Sequence, residues 1–494
     1  MDENNNPQYF SSQPVVPARE AYPAGKQEFF FGLLILICSW FFFNCIYFGG
    51  FNLGAAIGLS GIILVSAGYL LLHRHKLTAY TGAVLALDLV ICASFARSDD
   101  AFVKFVMVCF LIISVNLSLC LTAGQNRHPS GGITSLLDVP RTVFMLGIAR
   151  LDPALRGLFR GLRSSGSAGK KGGAIALGLV VAFPVLLILV SLLSSADAAF
   201  DALLSKLPEF KLEGLIVTGL FGTLLAVFFY VRATALHHAP KASAASKTGK
   251  GISPLTVNTV LIVVCAVYAV YLASQLAYFS GGFSGILPED YTVAQYARRG
   301  FFELAWLCAI NLGIIALAVG LVQNSAPKFT RILCLLIGIV TVFLAVSASA
   351  KMFLYIDSFG LTRLRVLTQV IIFWLGLTTV LVCVWLFVPK LSYMKVALVL
   401  TLVIGAAVAW ADVDTVVARY NVNAYQTGRL ETVDVTYLGN LGHGAVPYIA
   451  QLKDDTDPEV AQAAKWELSR GYHINEDIRA WNYVNHIAEL YFED

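Results

Sequence analysis

The sequence predicts an all-α protein: a polytopic transmembrane helical bundle of about eleven spans, followed by a small helical C-terminal soluble domain. Three observations carry this prediction. The chain has 494 residues, of which 57% are hydrophobic and 13% charged, too little polar surface to cover a soluble protein of that length. Apolar runs of roughly 20 residues, the length that crosses a hydrocarbon core as a helix, recur along it. Near residue 412 the composition turns abruptly to that of a soluble protein.

The first 28 residues are polar and proline-bearing, and predict a disordered cytoplasmic N-terminus without a cleavable signal peptide. Spans are predicted at 29–48, 51–72, 78–96 and 101–123, a four-helix set. Residues 124–173 are too charged to span and form a basic cytoplasmic loop. Seven more spans follow within 174–411, at 174–195, 214–232, 255–280, 300–323, 331–353, 366–388 and 393–411. Helices are required, because each backbone amide must be bonded inside its own segment.

Within the basic loop, Asp152 and Pro153 look like a helix start. Around them Leu151, Leu155, Leu158, Phe159 and Leu162 share one face, and Arg156, Arg160 and Arg163 another. That pattern predicts an interfacial helix whose arginines meet anionic lipid headgroups of the inner leaflet, with docking of a cytoplasmic partner as the alternative. Residues 237–251 form a flexible basic linker, in which His237 and His238 are a pair with no third ligand and are expected to be solvated. Residues 412–494 predict two or three short helices broken by glycine and Asp-Pro turns, packed on the outer membrane surface and open to a protein partner. His443, beside glycines, is a loop residue on this reading.

Basic residues set the orientation. Of the 35 lysines and arginines, most fall before the first span or in the loops on the same side, including Arg74, Lys76, Lys328, Arg331, Lys390 and Lys395. By the positive-inside rule the N-terminus is cytoplasmic and the C-terminus extracytoplasmic. Spread as inner-leaflet anchors, these residues do not form a nucleic-acid surface. All nine cysteines lie in apolar runs without a CxxC and serve packing. No HExxH, GxSxG or Walker motif is present, so the sequence suggests no cofactor, no metal and no enzyme.

Polar groups inside spans are functional candidates, because burying them in lipid is costly. Asp88, Asn116, Gln275, Asn311 and Lys351 qualify, against the alternative that they hydrogen-bond neighbouring helices. A second set is expected at the outer mouth of the bundle: Asp197 and Asp201, Arg299 and Glu303, Asp357, and Arg363 with Arg365. The two arginines sit where the charge rule disfavours them, so they need partners, and Glu303 and Asp357 are the nearest candidates. In that stretch Thr362, Arg365 and Gln369 share a face, Arg363 points elsewhere, and Gly360 supplies the bend into the next span. Such a charge network is architectural on one reading and ligand-binding on the other.

The wording "SADAAFDALL", "YARRGFFEL" and "LYIDSFGLTRLRV", with "DVTYLGNLGHGAVPYIAQL" after the last span, resembles a large bacterial family of multi-pass membrane proteins known only as a domain of unknown function. The resemblance covers roughly residues 30 to 455. It implies a bacterial cytoplasmic-membrane protein, and it brings no activity and no catalytic residue. Two functional classes remain from the residues themselves. One is a signalling, assembly or partner-binding protein with its polar surface outside, and the other is a transporter or channel for a small solute. A membrane enzyme is the third and weakest.

Overall fold

Among the described residues ten apolar helices run back and forth between two faces: α1 (Lys26–Gly49), α2 (Leu53–Leu72), α3 (Ala79–Ser94), α4 (Ala101–Ala123), α5 (Leu212–His238), α6 (Pro254–Gly282), α7 (Phe301–Leu321), α8 (Lys328–Phe359), α9 (Arg363–Phe387) and α10 (Tyr393–Ala411). Five shorter helices follow: α11 (Val413–Gln426), α12 (Val435–Gly439), α13 (Val446–Ile449), α14 (Pro458–Ser469) and α15 (Tyr483–Glu489). The computed structural model describes residues 22, 26–128, 133–145 and 148–156, isolated positions between 178 and 200, then 212–241, 252–282, 301–322, 327–471, 475 and 477–491.

Among the described residues nine helices are long and apolar enough to cross a membrane, and the chain is an integral membrane protein. The expected eleven differs at two places. The run at 78–96 becomes α3, only 16 residues, about 24 Å of helix against a core of roughly 30 Å. Its start is fixed by a capping box between Thr78 and Thr81, and the chain leaves the helix again before the Ser98–Asp99–Asp100 turn. Of the run at 174–195 ten positions are described, all of them helical. In the other direction, α8 has 32 residues, not the 23 of the apolar run 331–353. The segment Tyr355–Phe359 is therefore helix, and the turn comes at Gly360, whose φ of +72° caps α8.

Contacts between helix ends define the two faces. On one face, which carries the C-terminal segment, Leu53 at the start of α2 donates to the carbonyl of Trp481 (3.1 Å), and Tyr483 donates to that of Ala96, just past α3 (2.8 Å). On the opposite face the starts of α1, α3 and α10 meet the ends of α2, α4 and α5: His73 lies 3.2 Å from Glu28, Gln125 donates to the carbonyl of Ala239 (2.9 Å), and Lys395 lies over the ring of Tyr80 (5.3 Å). Arg74, Lys76, Arg127, Arg141 and Lys395 belong to this second, basic face.

Packing divides the helices into two groups. One core joins α1 to α5 with α10 and with the C-terminal segment: Ile35, Leu70, Ile91, Leu119 and Leu402 share it with Val417, Leu438, Ile449 and Ala464. Smaller cores hold α6 to α9 together around Leu261, Ile337 and Leu344. The Trp374 indole of α9 donates to the Thr401 hydroxyl of α10 (2.8 Å). The segment beyond 411 is not set off by a linker. Asp412, with φ +54°, turns α10 directly into α11, and Val413, Val417 and Val422 continue the apolar core.

In the basic loop, residues 148–156 are helical. Asp152 is thus inside that helix instead of capping it, and it pairs with Arg156 one turn on. Arg160 and Arg163 lie outside the described residues.

Candidate functional site

A dense polar constellation lies where the C-terminal segment meets the helix ends. Its basis is local capping. Asp100 caps α4, accepting from the amides of Phe102 (2.9 Å) and Val103 (3.0 Å), while Asp412 caps α11 by accepting from the Thr415 amide (3.2 Å) and hydroxyl. Thr362 caps α9. These caps deliver three helix starts to one place, and the tertiary contacts are built on them.

Arg363, the first residue of α9, donates through Nε to Asp414 (2.8 Å) in a two-pronged pair and stands 3.6 Å from Asp100. Its amide donates to the Tyr437 hydroxyl (2.9 Å). Ser98 donates to Asp412 (2.7 Å), and His443 lies 2.8 Å from Asp99. Lys104 donates to Asn52 (2.6 Å), which also accepts from the buried Asn482 (3.3 Å). Asp100, Asp412 and Asp414 are all buried. Burial pushes the Asp414 carboxyl up to about 6, with Asp100 and Asp412 adding like charge, while Arg363 opposes the rise. The arrangement is a clasp: it pins α11 and α12 to the starts of α4 and α9, and one of its carboxyls takes up a proton not far below neutrality.

The clasp corrects the expected partners of the outer arginines. Arg363 is answered by Asp414 and Asp100, not by Glu303 or Asp357. Arg365 folds back instead, donating to the carbonyls of Phe359 (2.9 Å) and Gly360 and stacking its guanidinium over Tyr355 at 4.2 Å. The reason is geometric: α9 starts beneath the C-terminal segment, which places the Asp414 carboxylate within hydrogen-bond reach of Arg363. Glu303 is exposed and attracts Lys351 of α8, and Asp357 is exposed near the end of α8. Asp197 is exposed as well, while Asp201 and Arg299 lie outside the described residues.

The intramembrane polar groups divide. Asp88 is fully buried and accepts from Ser114 of α4 (2.5 Å). Asn311 of α7 joins three helices, accepting from Tyr268 of α6 (2.7 Å) and donating to Thr341 of α8 (2.9 Å). Asn116 bonds the carbonyl of Ile112 in its own helix, so it links no neighbour through that bond. The side chain of Gln275 is outside the described residues.

Sequence reasoning missed Asp99, Asp100, Asp412, Asp414 and the docking role of His443. The usable signal was acidic residues crowded against span ends, in "SDD" before α4 and "ADVD" after α10, opposite arginines that lacked a local partner.

A family model matches residues 83–452, a stretch that takes in Asp100, Arg363, Asp412, Asp414 and His443. No curated protein and no solved structure matches the chain. The family model covers well over half of the sequence, and the chain belongs to the family it describes, a domain of unknown function (DUF4153).

Proposed function

We propose that this membrane protein acts as a signalling or assembly protein of the bacterial cytoplasmic membrane, presenting residues 412–491 to a protein partner outside the cytoplasm. The observation that carries this reading is the clasp, which mounts the C-terminal segment rigidly on the helix ends. The mount leaves Trp466 and Ile478 of that segment 57% and 76% exposed, apolar groups suited to a partner's surface.

Sidedness rests on the basic face. Arg74, Lys76, Arg127 and Lys395 lie opposite the C-terminal segment, which under the positive-inside rule makes their face cytoplasmic. Because α4 and α5 both end on the basic face, α5 begins on the other one. The ends are met if the chain crosses once more between residues 156 and 212, giving the odd span number that an N-in, C-out chain needs. Arg156 then sits at the inner leaflet, in keeping with a lipid-facing loop. The transporter reading is weaker, since Asn311 is bonded across three helices as architecture. No catalytic step belongs to this proposal.

A photoreactive phenylalanine analogue at Trp466, irradiated in intact cells, tests it. A discrete crosslinked protein, absent when the analogue replaces Lys390 on the other face, is the expected result. Crosslinks to lipid alone would overturn it.

A further inference from the structure

The basic face holds a second constellation that the clasp does not use. Half of the chain's eight histidines meet there. His73 and His75 flank Arg74, whose φ of +64° is rare for a side chain with a Cβ. That turn brings both imidazoles to the last turn of α5, where His237 and His238 are half-buried. The rings of His73 and His237 lie 4.2 Å apart, those of His237 and His238 4.3 Å, and His75 Nε2 is 3.0 Å from His237 Nδ1. Glu28, 7% exposed in the first turn of α1, completes the group. The objection raised by sequence alone, that His237 and His238 lack a third ligand, is removed by the fold.

The protons are informative. His73 Nδ1 is 2.9 Å from the carbonyl of Tyr69, and a carbonyl only accepts, so Nδ1 carries the hydrogen. In a neutral ring Nε2 then carries the lone pair, and it points at Glu28 Oε1 from 3.2 Å. A lone pair facing a carboxylate needs a positive charge between them. His238 Nε2 stands 3.9 Å from the same oxygen and is buried without a hydrogen-bond partner among the described residues. Proteins hold metal-ligating histidines by donating the other ring N–H to a carbonyl or carboxylate, and His73 has that support from Tyr69.

We propose that Glu28, His73 and His238 bind one divalent transition-metal ion, with His75 or His237 as fourth ligand. Three imidazoles and one carboxylate suit zinc and its late first-row neighbours, whereas calcium and magnesium prefer all-oxygen shells. As they stand, no three donors among the described residues have metal-holding geometry. His73 and His238 already stand within 4 Å of one Glu28 oxygen, so the adjustment needed is rotation of these side chains and of the fourth imidazole toward it, with release of any proton they hold. Glu28, His73 and His75 precede residue 83, where the family match begins, so the family model does not assign this site.

The full-length protein, purified in detergent with any affinity tag removed, would be stripped with chelator, incubated with Zn2+ and gel-filtered, and its metal content measured. Retention of about one zinc per chain is expected, together with a Co2+ spectrum of four-coordinate type. His73→Ala, His238→Ala and the near-isosteric Glu28→Gln should each weaken Zn2+ binding by more than about 100-fold, since even supporting residues contribute 10- to 100-fold. His443→Gln, on the opposite face, should leave it unchanged. Wild-type protein that retains no zinc, or retention indifferent to Glu28→Gln, overturns the proposal and leaves a cluster that binds protons only. The wild-type and Glu28→Gln arms decide the matter even if a histidine variant fails to fold.

Discussion

Arg363 answers two buried carboxylates on two elements, Asp414 and Asp100. Arg363→Gln removes the ion-pair partner of Asp414 and leaves Asp100 only the attraction of Lys104. The expected loss is about 2 kcal/mol, below the roughly 3–5 kcal/mol of a fully buried pair because the arginine is partly exposed to solvent. Thermal unfolding in detergent checks this, and Asp414→Asn added to Arg363→Gln should restore part of the loss. The Asp414 carboxyl also ties stability to pH. Its value is raised from 3.8 unfolded to about 6 folded, so the native state binds the extra proton between those values. The stabilisation is complete below the lower value and is lost as pH rises through the upper one. The unfolding temperature of wild type should therefore rise relative to Asp414→Asn as pH falls from about 7 to about 4, and parallel curves would contradict the assignment. The misplaced arginines at the lip of α9 were legible in the sequence as a feature needing partners. The partners were not, because Asp100 and Asp414 each satisfy a local capping pattern and give no sign of facing a distant helix.

At the scale of elements, the fully buried Asn311 bonds α7 to α6 and α8. Asn311→Ala should lower stability by about 1 kcal/mol, in line with measured hydrogen bonds between membrane helices. Tyr268→Phe should take away only the part due to one bond. A close approach elsewhere gives a sharper test: a Cβ on Gly49, at the end of α1, would lie 2.5 Å from the backbone carbon of Arg479. Neither backbone can yield cheaply, so Gly49→Ala should loosen the C-terminal segment and speed its removal by limited proteolysis, with Gly82→Ala, which meets nothing within 4 Å, as control. The spans were legible because length and hydropathy are properties of each segment alone. The exceptions follow from the same logic. Composition could not show α3 ending early at a polar turn, and it could not show that the soluble-looking tail buries Val417, Leu438 and Ile449 in the core shared with the spans.

For the whole molecule, the two faces differ in charge and in what they hold, and their sidedness is open to direct measurement. A membrane-impermeant thiol reagent on intact cells should label Lys465→Cys, in the exposed part of α14, and spare Lys390→Cys on the basic face; the reverse pattern would invert the proposed orientation. The histidine cluster on that face was out of reach of sequence reasoning, since its members come from α1, the turn after α2 and the end of α5. The Asp412 turn has one further consequence, which concerns the order of synthesis. The starts of α2 and α4 and the ends of α1 and α3 leave the ribosome and enter the membrane long before residues 412–491 exist. Their closing partners, Trp481, Tyr483, Asp412 and His443, arrive only after all of those helices. The early spans must wait with polar ends unanswered until those residues have been made. A nascent chain halted at residue 411 should accordingly be a substrate for membrane quality-control proteases, and pulse-chase of such a truncation would show rapid decay beside a stable full-length chain.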